Sequence, residues 1–374
     1  MVWLQPTVIP GSSPAGRGGC SSCVVGQDCV FIGGADRSPT AIDDVWVLRF
    51  EQRVPLTCRW IRKTTTVRDG RTLPARSGHS ATTIGTDIYV FGGMDPQTGT
   101  CFNDVVVLCT KSWEWRRLQL TENGSPPPRN AHVACAARND TVLIIYGGGS
   151  PEDGPMGDVH VLNVVEGREK WERPRVNGQA PDQREMHASV CVTSATLNAH
   201  TEELVIVGGR GREGTALADV HVLDLTEMKW TRRGGFPGGG VCAHGAATWH
   251  APNSNKNAVA VFGGFDGVGL QPEELTVLET ETFRLIGTCE GELKVKDAIK
   301  PSSRFAHACV SLTLEFTEDV DGEENKKIKT KTPCFVVFGG VTPAFDLGDL
   351  YVWVEGSTTE TVEAPRTVPA SDLD

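Results

Sequence analysis

Residues 76–108 read RSGHSATTIGTDIYVFGGMDPQTGTCFNDVVVL, and three features of this stretch decide the fold. An Arg stands three residues before a His, a β-branched and aromatic run ends in Gly-Gly, and an acidic residue precedes a short apolar run. These features return along the chain, so an internal repeat has to be recognised before any local motif is interpreted.

The Gly-Gly feature occurs six times, in VFIGG (30–34), YVFGG (89–93), IIYGG (144–148), VIVGG (205–209), AVFGG (260–264) and VVFGG (336–340). Successive pairs are 59, 55, 61, 55 and 76 residues apart. Each pair is followed by an acidic residue and an apolar run, in DDVWVL (43–48), NDVVVL (103–108), GDVHVL (157–162), ADVHVL (218–223), EELTVL (273–278) and GDLYVW (348–353). The spacing predicts six units, the last of which contains an insertion.

Each unit predicts four short strands separated by turn signals, without helical periodicity. Strand a follows the Arg and His, strand b ends in Gly-Gly, strand c is the run after the acidic residue, and strand d carries a Trp. The strand d aromatics are Trp60, Trp113 with Trp115, Trp171 and Trp230, with Phe283 in this place in the fifth unit. Such sheets pack around a channel, so we predict an all-β, six-bladed β-propeller with four antiparallel strands per blade.

In this arrangement the two ends of the chain supply the strands of one blade. The sixth unit stops after its strand c at Trp353, and the chain begins with VWL (2–4), a strand d without preceding strands. We expect this N-terminal strand to close the last blade, which removes an unpaired sheet edge. The propeller then spans residues 1–355, and the Ser, Thr, Pro and acid-rich tail 356–374 is expected to be disordered.

The bulk composition limits the function classes. A net charge of −11 argues against a nucleic-acid partner, and without a continuous apolar span or, in residues 1–14, a basic n-region we expect neither membrane insertion nor a signal peptide. Twelve Cys without a secretory signal suggest reduced thiols and a cytoplasmic location. Cys20 and Cys23 have CxxC spacing without a second ligand pair, so we expect no metal and no cofactor. A monomer is expected.

The combination of RxxH, Gly-Gly, DVxVL and Trp, repeated along nearly the whole chain, resembles the kelch repeat. It is most similar to the stand-alone kelch proteins of the small Rab-effector type and to the kelch part of host cell factor. This resemblance implies a non-enzymatic scaffold or adaptor that binds a protein or peptide. No helical segment typical of a ubiquitin-ligase receptor flanks the repeats.

The start of strand a and the loop between strands b and c must lie on one face, near the channel mouth. The Arg position is therefore predicted to surround this mouth, in Arg17, Arg76, Arg129, Arg184 and Arg304, with Val241 in the fifth unit. Guanidinium groups suit carboxylates, and the resemblance implies that Arg at matching positions contact acidic peptides or a peptide C-terminus. A structural role in hydrogen bonding the neighbouring loop or blade stays open, and is our interpretation of the repeated His.

Three further residues in the b–c loops on the same face, Arg210, Arg212 and Phe265, complete the candidate partner-binding set. The Gly-rich fifth unit, PGGGVCAH (237–244), could allow close approach of a ligand backbone or could be a drifted repeat. The insertion 314–333 is expected to be an extended hairpin on the opposite face.

We predict no catalytic residue. The resemblance includes enzymes, and the alternative function is a mutarotase-like activity on an anionic sugar, which needs only an Arg, an acid and a polar pore. The Tyr ligands of a copper radical oxidase and the iron motif of specifier proteins have no match in this sequence.

Overall fold

Six antiparallel sheets form a closed ring in the computed structural model, which describes residues 2–38, 42–121, 123–196, 199–250, 257–280, 282–288, 299–319, 326–354 and 358–363. No helix occurs in these residues, and hence none that could cross a membrane. The predicted all-β, six-bladed β-propeller with four antiparallel strands per blade is confirmed.

The four main strands of each blade follow the predicted order a, b, c and d. Blade 1 has Ser21–Val25, Asp28–Ile32, Val45–Gln52 and Thr57–Lys63. Blade 2 has Ser80–Ile84, Asp87–Phe91, Val105–Cys109 and Glu114–Arg117. Blade 3 has Val133–Ala137, Val142–Tyr146, Val159–Asn163 and Lys170–Glu172. Blade 4 has Ala188–Thr196, Ala199–Val207, Asp219–Asp224 and Lys229–Gly235. Blade 5 has Gly245–His250, Asn257–Phe262, Thr276–Glu279 and Leu285–Thr288. Blade 6 has Ala308–Asp319, Lys326–Phe338, Leu350–Val354 and, as strand d, Val2–Leu4.

The core consists of six apolar clusters, each shared by two successive blades. The cluster between blades 2 and 3, for example, joins Phe91 of strand b in blade 2 to Leu143 and Trp171 of blade 3. Strands b and c are apolar on consecutive residues because both of their faces are covered by neighbouring blades. The last cluster joins blade 6 to blade 1, so hydrophobic packing continues around the whole ring.

The N-terminal strand closes blade 6 as predicted. Val2–Leu4 pairs antiparallel with Leu350–Val354, and Trp3 lies opposite Trp353. The Trp3 ring also contacts Phe262 of blade 5, with ring centroids 5.3 Å apart. The first residues of the chain therefore join the end of the ring to its beginning.

A ring of backbone hydrogen bonds closes the propeller a second time. It lies at the start of the six strands a, two residues after each Arg position. Here the backbone N–H of each blade donates to the C=O of the preceding blade, with N···O distances of 2.7–2.9 Å. The residues are Gly19, Gly78, Ala131, Met186, Ala243 and Ala306, and Gly19 donates to Ala306 to complete the circle. All six have φ between 52° and 63°, which strains the four that are not Gly. Six identical turns therefore hold the blades at the axis.

Short additional strands cover the outer edges of three blades. Thr7–Val8, Thr66–Val67 and Asn177–Gly178 lie in the connections between blades and pair in parallel with strands d. These pairings occupy backbone groups that an open sheet edge would leave free.

The predicted extended hairpin of blade 6 is confirmed, since Ala308–Asp319 pairs with Lys326–Phe338. The tail differs from expectation in part. Residues Thr358–Glu363, expected to be disordered, form a strand that pairs antiparallel with Lys326–Lys331 of this hairpin. The exposed edge of a long hairpin strand favours this addition, because its backbone groups need partners. Residues 356–357 and 364–374 lie outside the described residues.

Blade 5 departs from the other blades in strand d. Leu285 lies opposite Leu278, as Trp115 lies opposite Leu108 and Trp230 opposite Leu223. Phe283 instead occupies the preceding turn with φ of 50°, like Trp113 with φ of 57°. The prediction that Phe283 replaces the strand d Trp is therefore wrong for the strand position, where the smaller Leu285 stands.

Candidate functional site

The Arg position was expected to present guanidinium groups at the channel mouth, but the structure buries them. Arg129 is 0% exposed, and its two terminal nitrogens donate to the two carboxylate oxygens of Asp158 at 2.7 and 3.0 Å. Nη1 also donates to Gly147 O at 2.9 Å, and Nε to Pro127 O at 3.1 Å. This fork joins the start of strand a, the end of strand b and the start of strand c in one blade.

The same bidentate pairing occurs in five blades. Each guanidinium binds the acidic residue that precedes strand c and the carbonyl of the first Gly of the Gly-Gly pair. The pairs are Arg17 with Asp44, Arg76 with Asp104, Arg129 with Asp158, Arg184 with Asp219 and Arg304 with Asp349. Their carbonyl acceptors are Gly33, Gly92, Gly147, Gly208 and Gly339. Three sequence features that recur together are therefore one interaction in space.

Neighbouring groups complete these pairs. His160 and His221 lie 2.8 and 3.0 Å from Asp158 and Asp219, two residues earlier in the chain. Burial raises the pKa of both carboxyl groups, but the hydrogen bonds from His and Arg outweigh this and hold each pKa below its usual range. Each carboxylate is thus ionised and occupied by intramolecular donors.

The expected ring of exposed Arg at the mouth is accordingly corrected to a set of buried intrablade pairs. The physical reason is that each carboxylate lies within reach of its Arg and the two together satisfy the charges that burial would otherwise leave unpaired. Direct contact of Arg17, Arg76, Arg129, Arg184 and Arg304 with a partner stays a prediction, and their burial argues against it.

The repeated His are also buried. His79 Nε2 lies 2.7 Å from Ser21 Oγ, and His132 Nε2 lies 2.9 Å from Ser80 Oγ, so these two His contact the preceding blade as their structural interpretation expects. Neither ring nitrogen of His187, His244 or His307 has a hydrogen-bond partner among the described residues, so that interpretation holds for their burial alone. Desolvation lowers the pKa of His79 to about 3 and that of His244 to about 4. These side chains are neutral packing groups near the axis.

Close backbone approach explains the Gly-Gly pairs beside these His. Gly147 and Gly148 have φ of 64° and 86°. A Cβ on Gly147 would lie 2.6 Å from His187 Cε1, and one on Gly148 would lie 2.6 Å from His132 Cβ. The pair is therefore required both by its conformation and by the space that two successive His leave.

The b–c loops and the starts of strands a lie side by side, as the sequence analysis expected. Isolated bridges join Ser77 to Met94 and Cys242 to Phe265, and short strands join Arg184–Glu185 to Arg210–Gly211. This arrangement defines one face of the ring, which we call the loop face. Ligands that bind here would contact loops from several blades.

The three predicted loop residues are placed on this face. Arg210 forms an ion pair with Glu185, with Nη2 2.6 Å from Oε1. Arg212 is exposed, and its Nη2 donates to Gln183 Oε1 at 3.0 Å. Phe265 is partly buried, and its ring centroid lies 6.5 Å from that of Phe305. Of the predicted Arg, Arg210 and Arg212 are therefore the accessible ones.

The sequence analysis missed two apolar side chains on the loop face. Val268, in the b–c loop of blade 5, is 95% exposed, and Phe345, in that of blade 6, is 69% exposed. Apolar residues in loops, outside any strand pattern, were the available signal. Together with Phe265 and Phe305 they form what we call the apolar rim.

The residues considered for metal binding do not cluster. Among the described ranges, no group of three or more His, Cys, Asp or Glu could hold a metal ion. Cys20 and Cys23 are buried, and desolvation raises the pKa of their thiols to about 11 and about 12. These thiols are therefore protonated and packed in the core.

Comparison with known proteins agrees with this architecture. The KLHDC2/KLHL20/DRC7 Kelch-repeats domain matches residues 56–234. Acyl-CoA-binding domain-containing protein 4 of Arabidopsis thaliana is 28% identical over 224 residues, which cover 57% of this chain and 31% of that protein. An F-box/kelch-repeat protein of the same plant is 28% identical over 59% of this chain and 45% of its own length.

Human host cell factor 1 is 28% identical over 251 residues, which cover 61% of this chain and 12% of that protein. The chain therefore spans less than half the length of each of these relatives. The matched portion supports the repeat architecture, and the activities of the longer proteins do not transfer with it.

Proposed function

Because the chain is a kelch-repeat β-propeller, we propose that it is a non-enzymatic scaffold or adaptor that binds a protein partner through its loop face. The observation that carries this proposal is the exposure of Phe345 and Val268 on the loop face, which also holds Phe265 and Arg212. Exposed aromatic and Arg side chains are enriched at the centres of protein interfaces.

The partner segment is proposed to be extended and to carry a carboxylate, either acidic side chains or a C-terminus. Arg212 is held to the uncharged Gln183, so its positive charge has no carboxylate in that contact. Such a charge would attract an anionic segment, while the apolar rim would supply the buried area. The five buried Arg–Asp pairs then act indirectly, by positioning the loops. We further propose a monomer in a reducing, cytoplasmic environment, in keeping with the eleven free Cys of the described residues.

Affinity capture from a lysate of the source organism tests this proposal. We expect a specific partner to be retained by the unaltered chain and lost by the variant Arg212→Glu with Phe345→Ser. The matched control is Val165→Ser, an exposed apolar change in the c–d loop of blade 3, which lies on the opposite face. Circular dichroism would confirm that each variant is folded. Retention of the same partner by the rim variant would contradict the proposal.

The alternative, mutarotase-like activity on an anionic sugar, is less favoured by the geometry. It would need a free Arg close to an acid, whereas the five buried Arg are occupied by their own Asp. Turnover of sialic acid anomers by the purified chain would support this alternative over the scaffold.

A further inference from the structure

Blade 5 contains the same backbone arrangement as the other blades but lacks the Arg. Val241 N donates to Leu217 O at 3.0 Å, as Arg184 N donates to Met156 O at 2.9 Å. Val241 O accepts from Gly209 N at 2.8 Å, as Arg184 O accepts from Gly148 N at 2.9 Å. Val241 therefore stands in the Arg position and supplies a short apolar side chain there.

The acceptors that bind the guanidinium elsewhere are still present in blade 5. Glu274 precedes strand c, where the other blades have Asp, and Gly263 is the first Gly of the Gly-Gly pair. Both residues line a cavity of about 250 Å³. Among the described residues, no cation pairs with Glu274 and no donor bonds Gly263 O. The two residues whose counterparts bind Arg in five blades thus line a cavity in blade 5.

The remaining walls of this cavity are mainly apolar, with Gln271 and Thr276 as polar members. Phe236 and Pro237 come from the connection that follows blade 4, Pro272 from the b–c loop of blade 5, and Leu285 from its strand d. Leu285 is 44% exposed, so the cavity reaches the surface where a strand d Trp would otherwise extend. The small Leu285 at the strand d position therefore leaves this cavity open to the surface.

We propose that this cavity, the blade 5 socket, binds an Arg side chain of a protein partner. Its guanidinium would donate to the Glu274 carboxylate and to Gly263 O, which repeats the pairing seen within the other five blades. Apolar walls suit the methylene stem of an Arg, which packs well while its charged end is hydrogen bonded. A Lys would satisfy fewer of these acceptors, because its ammonium is a point charge without the planar fork.

The Gly-rich loop 237–240 favours an Arg on an extended peptide over a free small molecule. A Cβ added to Gly238 or Gly239 would have no heavy atom within 4 Å, so the space beside these two residues is open. A partner backbone can therefore come close to the cavity entrance, and the net charge of −11 favours a basic segment.

The test is a titration of the full chain with the peptide acetyl-Gly-Gly-Arg-Gly-Gly-amide, followed by the methyl NMR signals of Leu285 and Val261, which both line the cavity. The matched peptide carries citrulline, a neutral isostere of Arg, and a third arm uses free arginine. We expect the Arg peptide to shift these signals and to bind at least about tenfold more tightly than the citrulline peptide, because a charged hydrogen bond is lost in the latter. Equal binding of both peptides, or no shift of these signals, would overturn the proposal. Free arginine binding as tightly as the peptide would overturn the assignment to a protein partner.

Two variants assign the binding to the socket. Val241→Arg should fill it from within and Glu274→Gln should remove its charge, so each is expected to weaken Arg-peptide binding at least about tenfold. Glu273→Gln, a change in the exposed neighbour, serves as the matched control and should leave binding unchanged. If folded Glu274→Gln binds the Arg peptide as tightly as the unaltered chain, the proposal is wrong, even if Val241→Arg does not fold. The rim variant, Arg212→Glu with Phe345→Ser, should retain Arg-peptide binding, so the socket and the loop-face proposal can fail separately.

Discussion

At the scale of single residues, the recurring Arg and the acidic residue 27 to 45 positions later are two halves of one buried ion pair. Arg129 and Asp158 show the pattern, with Gly147 O as the third member. A guanidinium without exposure to water is stable only where its donors are satisfied. Five of the six units contain all three features, whereas the fifth unit contains the acidic residue and the Gly without the Arg.

Substitution of Arg129 by Ala should lower the free energy of unfolding by about 3–5 kcal/mol, since it leaves the Asp158 carboxylate without its main cation. Urea unfolding of the variant, compared with exposed Arg173→Ala as a control, measures this loss. The double variant Arg129→Ala with Asp158→Ala should lose less than the sum of the two single changes. Additive losses would show that the pair does not act as a unit.

At the scale of elements, the ring is closed by a strand that is distant in sequence from its blade. Trp3 is 8% exposed and contacts both Trp353 across the strand pair and Phe262 in blade 5. Three residues therefore connect the first part of the chain to the last blade. The stability of this closure depends on side-chain burial, because Val2–Leu4 can form few backbone hydrogen bonds.

Substitution of Trp3 by Ala should destabilise the chain by about 3–5 kcal/mol, through lost burial and the cavity that remains. Thermal unfolding followed by circular dichroism measures the effect, and Val8→Ala, at an exposed position near the same terminus, is the control. An equal change in both variants would show that the N-terminal strand is dispensable for closure.

At the scale of the whole molecule, five buried His near the axis link stability to pH. Burial lowers the pKa of His79 and His307 to about 3 and that of His244 to about 4, and it lowers the pKa of His132 and His187 well below its ordinary value. The unfolded chain binds protons on these His below its ordinary pKa of 6.5, while the folded chain does not. The free energy of unfolding therefore contains the full contribution of these neutral His above pH 6.5. This contribution is lost as the pH falls from there towards about 3.

We expect each of these His to contribute a slope of about 1.4 kcal/mol per pH unit to the free energy of unfolding between about pH 4.5 and 6. The Asp with lowered pKa titrate below this window, so they do not contribute within it. Urea titrations at several pH values measure the slope of the free energy of unfolding against pH. The variant His244→Asn should reduce this slope by the contribution of one His. A free energy of unfolding that is constant across this window would contradict the prediction.

The sequence by itself determined the number of blades, the order of their strands, the closure by VWL and the position of each Arg at the start of strand a. These follow from short local patterns whose period and spacing are visible without contacts. Only the tertiary structure decided what the Arg side chains bind, because a guanidinium next to a channel mouth and one folded back onto an Asp have the same sequence pattern. The same holds for the blade 5 socket: Gly263 and Glu274 are separate positions in the sequence, and folding brings them to one cavity because strand b ends and strand c starts on the same face.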